Sequence, residues 1–142
     1  MTNLAAYLSY NGNCAEAMAF YAQLLGAKVE ALITYGQMPD AMPVPPEHHD
    51  KVMHAHLVHP DFELMAGDVP PGQTYVGIQG AMMAITFPTA AEARRVFEGL
   101  SEGGQVTMPL GETFWADIFG MVTDRFGTPW GVNGGSRDMP TA

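Results

Sequence analysis

Two stretches decide the fold: NCAEAMAFYAQLLG at residues 13–26 and TAAEARRVFEGLSEGG at residues 89–104. Each opens on a residue able to cap a helix, Asn13 or Thr89, with a glutamate three positions on, Glu16 or Glu92. A side-chain oxygen at the cap can accept an orphan first-turn amide, while the glutamate reaches back to the cap's own N–H. Ala17, Phe20, Tyr21 and Leu24 have the i, i+3, i+4, i+7 spacing of a buried helical stripe. Moving 76 residues along gives Ala93, Val96, Phe97 and Leu100, the same stripe. Glycine closes both runs, at Gly26 and at Gly103-Gly104. One capping box is a weak signal, but cap, stripe and stop recurring at a single offset mark an internal duplication.

Strand-type segments surround each helix. Leu4–Tyr10 precedes the first, and Ala27–Tyr35, Val52–Val58 and Phe62–Ala66 follow it. Met82–Phe87 precedes the second, and Gln105–Leu110, Phe114–Thr123 and Thr128–Asn133 follow it. Turns are signalled at Pro60-Asp61, at Asp124–Gly127 and by the glycine-rich end at Gly134-Gly135. The order in each half is β-α-β-β-β. The expected fold is therefore α+β: two tandem βαβββ modules forming a curved mixed sheet, with helices outside and a cleft inside. Module 1 covers about residues 1–68, a linker 69–80, module 2 81–135 and a frayed tail 136–142, all within a single domain spanning 1–142. Residues 36–50 fall outside the repeat. Pro39, Pro43, Pro45 and Pro46 bar them from a central strand, so they form a long connection of the kind that serves as a lid or stays loose.

The chain has 142 residues and a formal net charge of −9, with only six lysines and arginines. No basic footprint exists to neutralise phosphates, which excludes a nucleic-acid partner, and the acidity argues against an anionic membrane surface. No run approaches the roughly 20 apolar residues of a spanning helix. A cytoplasmic protein is expected. Cys14, the only cysteine, excludes an internal disulfide and any multi-cysteine zinc site. It would open the first helix, where the dipole can lower a thiol pKa, but no histidine lies near it in sequence, so a structural role is favoured.

The first half contains the blocks Asn11-Gly-Asn-Cys14, Glu16-Ala-Met18, Phe20-Tyr21, Leu25-Gly-Ala27 and Tyr35-Gly-Gln-Met-Pro39. The second contains Glu112-Thr-Phe-Trp115, Phe119-Gly120 and Asp124-Arg-Phe-Gly-Thr-Pro-Trp130, with Asn133. Together these blocks resemble PhnB-like proteins of the glyoxalase/bleomycin-resistance/dioxygenase (vicinal oxygen chelate) superfamily. The resemblance implies paired βαβββ modules, a homodimer and, in enzymatic members, a divalent metal held by His, Gln and Glu from the first and last strands of the modules. The matching places here are Ala6-Tyr-Leu8, Met82-Met-Ala84 and Pro129-Trp-Gly131, which supply no such ligand. Some relatives carry the label demethylubiquinone methyltransferase. Its nucleotide-type cofactor would need a glycine-rich loop between strand and helix, which neither Tyr10–Asn13 nor Phe87–Thr89 provides, so a SAM methyltransferase is not expected.

His54 and His56, two apart on one strand, project from one face, with Met53, Ala55 and Leu57 on the other. Either they line a cleft, or with Glu63 or Asp117 they hold a displaced divalent metal. His48 and His49 sit in the proline-rich connection, as lid groups or as a solvated pair. The aromatic block Phe114, Trp115, Phe119 and Trp130 fits either core or pocket. Glu112 and Asp117 are candidates for a general acid and base, against the commoner reading as solvated carboxylates. The expected ligand contacts are Tyr7, His54, His56, Trp115, Asp117, Phe119 and Trp130, around a small, partly apolar molecule and without a cofactor. Two other functions compete with this one. The first is a metal-dependent lyase, isomerase or oxygenase built on His54 and His56; the second is an interaction module acting through a dimer surface.

Overall fold

The duplication is visible in the element order. The computed structural model describes residues 1–138, so Met139–Ala142 of the expected tail lie outside the described residues. Two units divide between Gly77 and Ile78, within the stretch read as a linker. The first contains β1 (Ala6–Tyr10), α1 (Cys14–Leu25), β2 (Lys28–Thr34), β3 (Val52–His59) and β4 (Phe62–Asp68). The second contains β5 (Met83–Phe87), α2 (Ala90–Ser101), β6 (Gln105–Gly111), β7 (Ala116–Thr123) and β8 (Pro129–Ser136). Each unit forms its own four-stranded mixed sheet, in the order β1-β4-β3-β2 and β5-β8-β7-β6. The outer β1 and β5 run parallel to their neighbours, and the remaining pairings are antiparallel. Both are βαβββ modules of an α+β fold.

Alternation along the strands gives each sheet a helix-covered face and an open one. In the first unit Leu8, Tyr10, Ala55, Leu57, Leu64 and Ala66 are buried on the covered face. Tyr7, His54, His56, Glu63 and Met65 alternate with them and take the open face. Each fully buried leucine contributes about 1.5–3 kcal/mol of transfer free energy, so a one-residue slip that reversed the faces would forfeit most of the core.

The helices depart from expectation in two ways. In α2 the buried set is the expected Ala93, Val96, Phe97 and Leu100, and the Thr89 hydroxyl oxygen accepts the Glu92 amide at 3.2 Å. In α1 the buried set is Cys14, Ala17, Met18, Tyr21 and Leu25, while Phe20 and Leu24 sit half-buried at its flank. That helix is apolar on most sides, so spacing alone admits more than one stripe. Nor does Asn13 cap it by a side-chain hydrogen bond. The Cys14 amide goes instead to the Asp68 carboxylate at the end of β4, 3.0 Å away, which draws the Cys14 side of the helix onto the sheet. Gly26, in the left-handed region at φ 69°, closes α1 as its sequence position implies.

Two boundary expectations also change. Gly134-Gly135 does not end the last strand, because β8 continues through Ser136. Arg137 is not frayed either: its amide donates to the Trp115 carbonyl at 2.7 Å. The 36–50 connection carries a single-turn 3-10 segment, Pro46–His48, and is tied back where the Gly36 amide meets the His49 carbonyl at 3.0 Å.

Candidate functional site

On the open face of the first sheet, β1 presents Tyr7 and β3 presents His54. The Tyr7 hydroxyl lies 3.2 Å from His54 Nδ1 and 3.3 Å from the Met53 carbonyl, and the two rings stack with centroids 5.7 Å apart. The carbonyl can only accept, so the one hydroxyl proton serves either it or an unprotonated Nδ1. Gly67 of β4 makes this approach feasible: a Cβ there would stand 2.8 Å from the Met53 carbonyl oxygen and 3.1 Å from the Tyr7 hydroxyl. Burial, and then the neighbouring Cys14 thiol, push the Tyr7 hydroxyl pKa up. The ring is nonetheless half-exposed, so its face is available to a ligand.

His56, on the same face, pairs with Glu63 at 2.9 Å, and Glu63 also accepts from the Asn3 amide. Those bonds, Asn3 first and His56 second, hold the Glu63 carboxyl below its ordinary range. Of the two oxygen donors considered for the histidines, Glu63 is the one that meets His56.

Beside Tyr7 lies a cavity of about 200 Å³. Its lining includes Gly67 and Asp68 of β4, Ser9 of β1, Met53 of β3, and Tyr35, Met42 and Gln73. Met42 comes from the proline-rich connection, which therefore borders the cavity, whereas His49 of that connection bonds the Val44 carbonyl at 3.1 Å. Asp68 is buried and fully occupied. One oxygen accepts the Gly12 and Cys14 amides at 2.9 and 3.0 Å, the other accepts Val52 at 2.8 Å, and its backbone carbonyl takes the Tyr35 hydroxyl at 2.9 Å. Burial, with the Asp68 charge second, pushes the Cys14 thiol up to about 12, the opposite of an activated nucleophile.

The second-unit residues lie as follows. Asp117 and Phe119 share the open face of β7, and Trp115 packs edge-on to Phe114 and Phe119 at 4.9 and 5.3 Å. The Trp115 indole donates to Asn133 at 2.8 Å. Trp130, expected at the ligand, is on the helix-covered face. It is buried, pairs with Val122 in register, and donates to the Asp124 carboxylate at 2.8 Å. Glu112 and Asp117, weighed as acid and base, are ion-paired with Arg137 at 2.9 and 3.0 Å, and this raises the arginine's pKa. The Arg137 guanidinium also donates to the Thr113 carbonyl at 2.9 Å.

Sequence reading missed Asp68, Ser9, Gln73 and the Arg137 clamp. Asp68 stood at the boundary between module 1 and an apparent linker, yet it is an acidic residue ending a buried strand, a position that needs several donors. Ser9 could have been found by continuing the alternation from Tyr7.

The profile of the Glyoxalase/Bleomycin resistance protein/Dioxygenase superfamily matches residues 3–132. The chain belongs to that superfamily. Protein YjdN of Escherichia coli strain K12 is 33% identical over 138 residues, covering 92% of this chain and 93% of its own. The crystal structure of PA1353 from Pseudomonas aeruginosa is 47% identical with a TM-score of 0.87, covering 95% of this chain and 98% of that one. A PhnB protein from Bacillus cereus shares the fold, at 24% identity, a TM-score of 0.78, and 94% and 99% coverage. A superfamily metal centre needs three or four donors converging on one point. Among the described residues no group of three or more His, Cys, Asp or Glu side chains is so arranged. The His54 Nδ1 edge faces Tyr7, and the His56 Nε2 edge faces Glu63. These ring edges face separate partners rather than one shared point, so the donor set among the described residues does not fit a chelated ion. Among the described residues no helix is long and apolar enough to cross a membrane.

Proposed function

We propose that this glyoxalase-superfamily chain binds a small, partly apolar molecule on the open face of its first sheet, through direct contact with Tyr7 and His54. The observation that carries this reading is the stacked Tyr7–His54 pair, bordered by a cavity of about 200 Å³. Two adjacent rings offer a flat apolar surface, and the hydroxyl and imidazole edges add directed polar contacts. His56 borders the same face with its Glu63 partner. Trp115 and Phe119, with Asp117 at their rim, are the ligand-facing surface proposed for the second sheet. The chain is further proposed to act as a homodimer, which light scattering at micromolar concentration tests through the measured mass.

The binding test is saturation-transfer NMR with a set of neutral aromatic fragments, run on the parent chain and on Tyr7→Ala and His54→Ala variants. Transfer that falls in both variants supports the reading. Equal transfer to all three proteins means the fragments bind elsewhere and overturns it.

A further inference from the structure

The cavity next to Tyr7 is chemically one-sided. Its wall contains no lysine, arginine or histidine, and its single charged residue is Asp68. An anion entering it would lose hydration near the buried Asp68 charge and find no counter-charge, an unfavourable balance. A cation fares little better. Three backbone amides already occupy the Asp68 oxygens, and the residue is only 4% exposed, so no free carboxylate is left to pair with an ammonium ion. The remaining polar equipment is neutral. Neither the Ser9 hydroxyl nor the Gln73 amide has a side-chain hydrogen bond among the described residues. Met42 and Met53 form adaptable apolar walls.

From this we infer that the cavity is a subsite for an uncharged amide- or alcohol-bearing group, selected against carboxylates and ammonium ions. Ser9 and Gln73 set that specificity, and Met42 is the wall contributed by the 36–50 connection. The inference rests on the binding reading above and names the ligand class of the same face. An amide would use both halves of the Gln73 side chain, donor and acceptor, and an alcohol would exchange a hydrogen bond with Ser9.

The test is a ¹H–¹⁵N NMR titration at pH 8 with four matched probes: benzamide, benzyl alcohol, benzoate and benzylamine. Probes of this size are expected to bind with Kd near 10 mM or somewhat tighter, about the free energy that so few atoms supply. Benzamide and benzyl alcohol are expected to shift the Ser9, Gly67 and Gln73 signals and to bind about fivefold or more tightly than either charged probe. Ser9→Ala and Gln73→Leu, with folding checked by their spectra, should weaken the preferred probe by about three- to tenfold, the span of one neutral hydrogen bond. Benzoate or benzylamine binding as well as benzamide overturns the inference. So do shifts at Tyr7 and His54 that neither variant affects, although the binding reading then survives. If no probe moves any signal of the first sheet, both are overturned.

Discussion

Asp68, the last residue of β4, accepts the amide of Cys14, the first residue of α1, at 3.0 Å. The contact joins the sheet to its helix through a charge-assisted hydrogen bond. The same carboxylate holds Gly12 on one side and Val52, the start of β3, on the other. Two segments distant in sequence thus converge on one buried residue, which also borders the cavity beside Tyr7.

Replacing Asp68 should therefore unfold more than it empties. Asp68→Ala leaves three buried or half-buried amides without their acceptor, and a loss of about 3–5 kcal/mol is expected, read as a lower denaturant midpoint. Asp68→Asn should also destabilise the chain. Its amide nitrogen would face an N–H group in place of one of the two acceptor oxygens. A midpoint unchanged in Asp68→Asn would contradict the role assigned here.

Cys14 predicts a pH dependence with a definite sign. Its folded pKa is pushed from an ordinary 9.0 to about 12, so the unfolded chain loses this proton first. The thiol's contribution is fully present below pH 9 and is lost as pH rises towards about 12. The stability difference between the parent chain and Cys14→Ala should narrow or reverse across that window. Iodoacetamide should label Cys14 at pH 8 only after denaturation.

Trp130 separates core from ligand surface. Trp130→Phe removes a donor to a buried Asp124 oxygen, with an expected cost of about 1–3 kcal/mol. Binding of aromatic fragments at Tyr7 should be untouched once the variant is folded. A loss of binding without a loss of stability would return Trp130 to the ligand site.

Glu63 should titrate below the ordinary glutamate range because Asn3 and His56 donate to it. Its stabilising contribution is present above the unfolded pKa and is lost as pH falls through the folded one. Carboxyl ¹³C shifts should show the Glu63 pKa rising in His56→Ala. An unchanged value would mean that the His56 contact is not formed in solution.

The duplicated fold was legible because cap, apolar stripe and glycine stop recur in two places, and each strand's alternation tells which face the helix covers. Helix orientation was harder to read. In α1 the apolar surplus around Met18, Phe20 and Leu24 lets several stripes compete, and the choice depends on Asp68, more than fifty residues away. His54 and His56 could be placed together by the strand period alone, because spacing of two fixes a shared face. Their partners could not be read, since Tyr7 and Glu63 arrive through β1–β4 and β3–β4 register. The face taken by Trp130 was hidden for a related reason: an indole three residues after a turn looks the same in sequence whether its strand turns it towards ligand or helix. Glu112 and Asp117 seemed free because their cation, Arg137, stood in what read as a loose tail.

The proposed contact of the ligand with Tyr7 and His54 is direct, with no chelated ion between them. The most direct measurement is elemental analysis of untagged protein purified without chelator, repeated after incubation with Zn, Ni, Mn or Fe(II) and desalting. Well under one metal ion per chain is expected in every case, unchanged in the His54→Ala/His56→Ala double variant. One ion per chain that disappears in the double variant would contradict direct contact and make the two histidines a metal centre.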